Sequence, residues 1–542
     1  MNQLVKARSC LSRFGVRAYT SCRPRPCILN FSTTNRLSRP IDRATAARDL
    51  VALLTHEEQK PASSKSSGGT SPVSGRREVL SAIESLLRTL NPGQPLYAAF
   101  HDGLVHDPLG GGSYAFRDDL IKPLLEGLVH DEALNLDAYS EARLADNIPS
   151  RPIVIHAGAQ PNNSPHCGTL IVFCYAFAVA RAMRDRMRAM AAHSQAVFQP
   201  PPVSVNITFV DTAPVKGEGL EIDGIHYQKS YRDTPSASAT WTGDYHEVLS
   251  LLSRWSDIPV TTTVQSDFFS NPFMPQLLNY FITNHRTLGR QLSPKYGTLA
   301  LRAACPIPGC GLAEKHGRLN QYTTNTTTTP NTPAAITFNC PHHGPHTLTL
   351  PTTPNLSSAL ALSRLEANAP TRNLLRSMSH LLDTATHHVR VTGADYAGGY
   401  QEAMLYRPLA EWSQWRAVTG EGVTGGGVTG VNGGGVNGRT PHILYAPLVV
   451  DWSGAKLSKS LYVREGGYEG MRVLGTEGLG SYRVLKRGVV GNGGDGVVAG
   501  DEEGLRRIWE EVGRWVADPR KLFRCYSVEY LRRVVVEGEK WE

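Results

Sequence analysis

The chain has 542 residues, of which 41% are hydrophobic and 19% are charged. This balance is typical of a globular protein with room for more than one domain. The apolar runs are short, and the best of them, 170–182, is broken by Arg181, so the sequence predicts no membrane span. Eight basic residues before Asp42 account for the whole formal net charge of +8, so the remainder has no basic excess to attract nucleic acid over long range.

Residues 1–41 are rich in Arg and Ser, contain no Asp or Glu, and lack a long apolar segment. This composition is typical of a mitochondrial transit peptide and predicts import into the mitochondrial matrix. The alternative is a basic arm that stays attached to a cytoplasmic protein. Residues 42–78 include a Ser-, Gly- and Pro-rich stretch and are predicted to be a linker.

Apolar residues at helical spacing over 77–91, and a second helix predicted at 118–128, indicate a helical N-terminal appendage over 79–150. Strands then alternate with helices, the first of which is long and spans 165–190. The predicted strands are 152–155, 203–210, 258–264, 388–391 and 442–450.

This alternation predicts an α/β fold, a Rossmann-like doubly wound parallel sheet. The two halves of the predicted catalytic core are 151–300 and 351–465, with an insertion at 301–350 and a short helical C-terminal region at 466–542. Three stretches rich in Gly, Thr or Asn are predicted to lack regular structure: 323–333, 420–438 and 488–500.

The first chemical motif follows the strand predicted at 152–155. Pro165 suits a first helical turn, which places His166 and Gly168 at a helix N-terminus, where free N–H groups and the helix dipole favour phosphate. Gly158 and Gly168 would let the backbone approach a nucleotide closely, and the His166 imidazole could donate to a phosphoryl oxygen as charge develops. The alternative is a histidine that only caps the helix.

Three cysteines within the 301–350 insertion cluster near histidines. Together with one histidine they could supply a closed tetrahedral zinc site, and the alternative is a set of buried free thiols beside a His-rich loop. The predicted ligands are Cys305, Cys310, Cys340 and His343, with His342 and His346 as alternatives for the fourth. The other cysteines form no disulfide framework, which fits a reducing compartment.

Gly393 and Asp395 lie where a predicted strand runs into a helix. A carboxylate at this position could bind ribose hydroxyls, as an acidic residue does in other Rossmann sites. The alternative is an ordinary turn in which the aspartate caps the following helix.

A lysine-containing loop, Lys456-Leu-Ser-Lys-Ser460, follows the last predicted strand. Lys456 and Lys459 on a mobile loop could close over a triphosphate and neutralise charge as pyrophosphate leaves. Ser458 and Ser460 are predicted to bind the nucleotide as well. The alternative is a solvated basic turn.

These motifs resemble the signatures of one enzyme class. Pro165-His-Cys-Gly168 is similar to the HIGH motif of class I aminoacyl-tRNA synthetases, with Thr169 in the place of its last histidine. The loop that ends at Ser460 resembles their KMSKS motif, with Leu457 for Met. The intervening Cys/His segment and the Gly-Ala-Asp-Tyr-Ala-Gly-Gly run resemble the class I lysyl-tRNA synthetases, the nearest family, over about 150–463.

The resemblance implies ATP-dependent activation of lysine and its transfer to tRNA, with Mg²⁺ bound to ATP and Zn²⁺ in a structural site. It implies that His166 and Thr169 contact phosphates, that Lys456 and Lys459 contact the departing pyrophosphate, and that Asp395 contacts the ribose. Two alternatives stay open. One is a related ligase with a non-tRNA acceptor, which the 82 residues after the KLSKS loop favour because they leave little room for the family's anticodon-binding region. The other is a non-catalytic nucleotide- or RNA-binding relative.

Overall fold

The structure is a computed structural model. All described residues belong to the second of two compact units, Gly93–Glu542. The described ranges are 119–133, 148–193, 199–324, 334–350, 362–409, 411–412, 441–451, 454–457, 471, 476–487 and 502–539. The predicted transit peptide, the linker, the helix at 77–91 and the Gly-rich stretches at 420–438 and 488–500 lie outside the described residues, as does most of 323–333.

The described chain contains both strands and helices. The strands are β1 (Ile153–Ala159), β2 (Val203–Phe209), β3 (Leu220–Ile222), β4 (Ile225–Gln228), β5 (Val260–Val264), β6 (Leu301–Ala303), β7 (Ala313–Glu314), β8 (Gln321–Thr323), β9 (Ala335–Cys340), β10 (Gly344–Thr349), β11 (Leu365–Ala367), β12 (His387–Gly393), β13 (His442–Ala446), β14 (Val449–Val450) and β15 (Tyr526–Ser527). The α-helices are α1 (Ile121–Ala133), α2 (Cys167–His193), α3 (Ser236–Ser256), α4 (Gln265–Phe268), α5 (Met274–Thr283), α6 (His285–Leu292), α7 (Ala369–Leu382), α8 (Gly399–Gln401), α9 (Glu477–Gly480), α10 (Tyr482–Arg487), α11 (Glu503–Ala517) and α12 (Val528–Leu531). Short 3₁₀ or π-helical turns span Tyr231–Asp233, Ala394–Tyr396, Glu402–Tyr406, Pro519–Phe523 and Arg532–Glu537.

The central sheet has five strands in the spatial order β13-β12-β1-β2-β5. Every neighbouring pair is parallel. Numbered along the chain, this order is 3-2-1-4-5, which is the order of a doubly wound Rossmann sheet. The predicted fold class is therefore confirmed. The strand order reverses between β1 and β12, and in such sheets ligands bind outside the carboxyl ends of the strands at that point.

The two faces of this sheet differ in polarity. Along β1, Ile153, Ile155 and Ala157 are buried, whereas the alternate residues His156 and Gly158 keep accessible surface. The buried set packs with α2, α3 and the C-terminal helix α11 in one hydrophobic cluster. The opposite face carries polar side chains, and α7 lies against it. One face therefore stabilises the fold and the other is available for chemistry.

Helix α2 is 27 residues long and, by length and hydropathy alone, could cross a membrane. Within its apolar window, 67% is buried inside the protein. Phe173 and Phe177 on this helix are fully buried. Helix α2 is therefore apolar because it packs in the hydrophobic core against the central sheet.

Two acidic residues at the end of α1 fasten this helix to the sheet. Glu132 lies 2.7 Å from Nε2 of His387, the first residue of β12, and Asp131 lies 2.9 Å from Nε2 of His442, the first residue of β13. Burial disfavours the Glu132 carboxylate, but hydrogen bonds from His387 and from the backbone N–H of Ser150 lower its pKa to about 2. These contacts lie at the amino ends of the strands, away from the binding edge.

The strand predicted at 442–450 is wrong as a single element. It consists of β13 in the central sheet and β14, which pairs in parallel with β15 near the C-terminus. Pro447 separates the two, and because proline has no N–H it interrupts a strand ladder.

Candidate active site and metal centre

The loop after β1 leads into α2 at His166. The carbonyl of His166 accepts hydrogen bonds from the N–H groups of Thr169 and Leu170, so this residue is the N-cap and the helix begins at Cys167. The prediction that Pro165 lies in the first helical turn is wrong, because it precedes the first helical residue by two positions. Burial raises the pKa of the Cys167 thiol to about 12, which marks it as a core residue.

His166 is held in place by its neighbours on the same turn. Its Nε2 lies 3.4 Å from Oγ1 of Thr169. A Cβ atom at position 168 would come within 2.9 Å of the His166 ring, so only glycine leaves this ring where it is. Gly158, on the accessible face of β1, leaves space where any side chain would project into the site.

The segment with Gly393 and Asp395 and the lysine-containing loop are in direct contact. Nζ of Lys456 lies 2.5 Å from Oδ2 of Asp395, in an ion pair that keeps much of its surface exposed. Lys456 is brought back to the sheet by a turn with Gly454 at φ +81°, which allows Lys456 to pair with Val450. A Cβ on Gly393 would clash with Oδ1 of Asp395, so a larger residue would displace that carboxylate.

One cavity of about 290 Å³ lies between these segments. It opens at the carboxyl ends of β1 and β12, where the strand order reverses. The predicted site residues that line it are Gly158, His166, Gly168, Thr169, Gly393, Asp395 and Lys456. Ser458, Lys459 and Ser460 lie outside the described residues.

The inner wall of the same cavity is strongly basic. It is formed by residues on the polar face of the sheet and on α7, none of which the sequence motifs indicated. These residues are His156, Arg372, Asn373, Arg376 and Arg390.

The Cys/His cluster forms a second centre, away from the cavity. Sγ of Cys305 lies 3.4 Å from Nδ1 of His343, and Sγ of Cys340 lies 3.6 Å from both Nδ1 of His343 and Sγ of Cys310. Around a tetrahedral zinc ion, with Zn–S of about 2.3 Å and Zn–N of about 2.0–2.1 Å, two sulfurs lie about 3.8 Å apart and a sulfur and a nitrogen about 3.6 Å apart. The donor set therefore fits zinc.

The backbone at this centre is shaped by two tight turns. Gly309, Gly311 and Gly344 all have positive φ. Burial opposes ionisation of the Cys340 thiol, but hydrogen bonds from the backbone N–H groups of His342 and His343 lower its pKa. A metal-binding thiolate is favoured by the same arrangement. Of the three histidines proposed as fourth ligand, His343 is the one that approaches the cysteines among the described residues.

No family model matches the chain, and no curated protein matches it. Several solved structures are similar to the chain, and two of them have low scores. A glutamate tRNA ligase from Elizabethkingia meningosepticum is 10% identical with a TM-score of 0.26, over 70% of this chain and 68% of that one. The arginyl-tRNA synthetase of Thermus thermophilus is 12% identical with a TM-score of 0.20, over 87% of this chain and 73% of that one. Scores this low carry no argument about the activity of this chain.

One feature of the sequence relates to the basic inner wall of the cavity. Arg372, Arg376 and His380 recur every four residues on α7, so they share one helix face. By itself such a stripe predicts a solvated surface. The structure shows that the stripe faces a cavity, because α7 lies against the sheet in which β12 pairs with β1. These two strands are more than 220 residues apart in the chain.

Proposed function

We propose that this protein activates an amino acid with ATP, forming an aminoacyl-adenylate and pyrophosphate. The observation that supports it is the convergence of three distant segments on one cavity. His166, Asp395 and Lys456 come from three separate loops, yet they all line the carboxyl edge of a Rossmann sheet. A solvated turn or a simple helix cap gives no reason for that convergence.

In the proposed reaction, a carboxylate oxygen of the amino acid attacks the α-phosphorus of ATP. The bond to the bridging oxygen breaks, and that oxygen leaves with its electron pair on pyrophosphate. His166, at the N-terminus of α2, donates to the phosphates, and Lys456 neutralises charge as it moves onto the leaving group. The protein contributes positioning and electrostatic stabilisation, and Mg²⁺ accompanies the triphosphate.

Asp395 has two roles in this proposal. It accepts hydrogen bonds from the ribose hydroxyls, as acidic residues do in other Rossmann sites. In the structure it pairs with Lys456, which keeps the lysine amine at the mouth of the cavity. Exchange of this partner for a phosphate oxygen would bring the loop over the nucleotide.

The acceptor and the amino acid are finer parts of the proposal. Transfer to tRNA, and lysine as the amino acid, are what the sequence resemblance implies, and both stay predictions. The arginines of the inner wall, Arg372, Arg376 and Arg390, disfavour lysine. Zinc is proposed as a structural ion held by Cys305, Cys310, Cys340 and His343, remote from the reacting groups.

The test is ATP–pyrophosphate exchange, screened over all twenty amino acids with the full chain. We expect exchange that depends on one amino acid or a small group of them. ATP binding without exchange for any amino acid would contradict the proposed activity and would favour the non-catalytic alternative.

We also propose mitochondrial import, which rests on the acid-free composition of residues 1–41. A fluorescent reporter fused to residues 1–49 is expected to enter mitochondria. The matched control carries Arg13→Glu and Arg17→Glu and is expected to stay in the cytosol, because the import signal depends on positive charge without acids. Diffuse fluorescence from the unaltered fusion would contradict the proposal.

A further inference from the structure

The inner wall of the cavity holds three guanidinium groups. Arg390 lies on β12 directly opposite His156 of β1 in the strand register. Arg372 and Arg376 lie one helical turn apart on α7 and line the same cavity. Two different elements therefore bring three cations to one small volume.

The partners of these arginines are neutral. Nη2 of Arg390 donates to Oδ1 of Asn373 at 2.8 Å, and Nη2 of Arg376 donates to Oε1 of Gln265 at 2.5 Å. Arg376 also lies over the ring of Phe268, at 5.5 Å from its centroid. Within the described part of the chain, no carboxylate forms an ion pair with any of the three guanidiniums.

Arg372 is the least satisfied of the three. Its Nε is buried and has no hydrogen-bond partner among the described residues. Burial lowers the pKa of Arg372 to about 10, and Arg302 and Arg390 act in the same direction. A buried donor on a charged group that lacks a protein partner indicates a partner that arrives with a ligand.

Elsewhere in the described chain, a buried arginine has a carboxylate partner, unlike the arginines of the cavity. Glu366 is buried and accepts from Nε of Arg302 at 2.7 Å and from Nη2 of Arg232 at 2.9 Å. That site has its own carboxylate. The cavity has three guanidiniums, and Asp395, the one acid among the described residues that line it, is paired with Lys456.

The basic wall lies deeper than the groups proposed to bind phosphate. His156 and Arg390 each precede the last residue of their strand by three positions, a depth of about 10 Å at 3.3 Å per residue. His166 and Lys456 lie beyond the strand ends, at the mouth. The deep position suits the side chain of a substrate whose reacting carboxylate faces the mouth.

A nearby histidine cluster does not change the positive charge of this pocket. His156, His380 and His388 are close enough together to hold a metal ion. Nδ1 of His388 lies 2.9 Å from Nε2 of His156, however, and its Nε2 lies 2.9 Å from Asp383, so both of its nitrogens already have partners. The guanidiniums nearby oppose a further cation, so the pocket suits an anion.

We propose that the deep cavity binds an amino acid with a carboxylate side chain, which the three guanidiniums Arg372, Arg376 and Arg390 neutralise. This inference rests on the proposed amino-acid activation. It disfavours lysine, because an ammonium group would meet three like charges.

Binding is measured by calorimetry on the full chain, with ATP present. Glutamate and aspartate are compared with their neutral isosteres glutamine and asparagine, and with lysine. We expect at least one acid to bind at least tenfold more tightly than its amide and than lysine. Equal or tighter binding of an amide or of lysine, or binding of ATP but of neither acid, would overturn the inference.

The variant Arg372→Gln tests the role of the wall. We expect the affinity for the acidic amino acid to fall at least tenfold, with ATP affinity unchanged. Its melting temperature should not fall, because the substitution removes a buried charge that has no protein counter-ion, whereas a merely structural arginine would lower it. Arg188→Gln, on the exposed face of α2, is the control and should bind like the unaltered chain.

The two proposals fail separately. Tight binding of glutamate or aspartate without any ATP–pyrophosphate exchange would contradict the proposed activity. It would still support the inference that the cavity binds an acidic amino acid. Exchange that depends on lysine or on a neutral amino acid would support the activity and overturn the inference about the substrate.

Discussion

Purified full-length protein is expected to contain about one zinc ion per chain, and the double variant Cys305→Ser with Cys340→Ser is expected to contain almost none. Both thiols are buried, and serine hydroxyls are poor zinc ligands. In isolated zinc fingers, metal binding supplies on the order of 10 kcal/mol of folding free energy. Here β9 and β10 also pair with each other, and β9 packs in a hydrophobic cluster, so part of that stability survives without metal.

The expected consequence is a measurable loss of thermal stability. If metal loss costs about 4 kcal/mol, the melting temperature of a unit of this size should fall by roughly 4 °C. Metal content by elemental analysis and melting by differential scanning fluorimetry check the two parts independently. Cys525→Ser is the control, since this thiol is exposed and outside the cluster.

The fourth ligand is tested in the same way. His343→Ala should lose most of the zinc, whereas His342→Ala and His346→Ala should keep it, because only His343 lies with the cysteines in the described structure. A wild-type chain prepared without chelators and found free of zinc would contradict the proposed centre altogether.

Local patterns predicted the parts of the site that lie next to strands. Gly158, His166, Asp395 and Lys456 each follow a predicted strand, and the carboxyl ends of parallel strands share one edge. Once the alternation of strands and helices indicates a doubly wound sheet, their convergence follows. Their chemical roles could be predicted from the sequence because glycine, histidine and lysine have distinct roles at a phosphate site.

The basic wall could not be predicted in this way. Arg390 is an unremarkable residue in a half-polar strand, and Arg372 and Arg376 form the polar stripe that any surface helix carries. Their function depends on which element covers the polar face of the sheet. That is set by packing between segments far apart in the chain, which no local period encodes.

Element boundaries show the same limit on a smaller scale. The strand predicted at 442–450 is apolar after His442 and gives no internal sign of where pairing ends, except at Pro447. The strand predicted at 152–155 rests on a β-branched run that ends at Ile155, whereas β1 continues to Ala159 through residues without that signal, among them His156 and Gly158, which line the cavity. In both cases the functional edge of the sheet departs from the simple pattern.

The substitutions His166→Ala and Lys456→Ala are each expected to lower the maximal rate of ATP–pyrophosphate exchange about a hundredfold. Loss of one donor that stabilises developing charge typically costs about 3 kcal/mol of transition-state stabilisation. Because charge reaches the leaving group only during the reaction, ATP binding should change much less than the rate. Lys216→Ala, an exposed lysine away from the cavity, is the matched control. For Lys459, which lies outside the described residues, the sequence predicts the same behaviour.

The double variant decides whether the two groups act on one transition state. His166 lies at the start of α2 and Lys456 beyond β14, and they line the same cavity. If both stabilise the same developing charge, removing the second should cost less once the first is gone, so the combined loss should fall short of the ten-thousandfold that independent effects would give. Fully independent losses would mean that the two groups do not stabilise the same developing charge. Exchange at the unaltered rate in Lys456→Ala would mean that its ion pair with Asp395 is only a surface contact and that the phosphate site lies elsewhere.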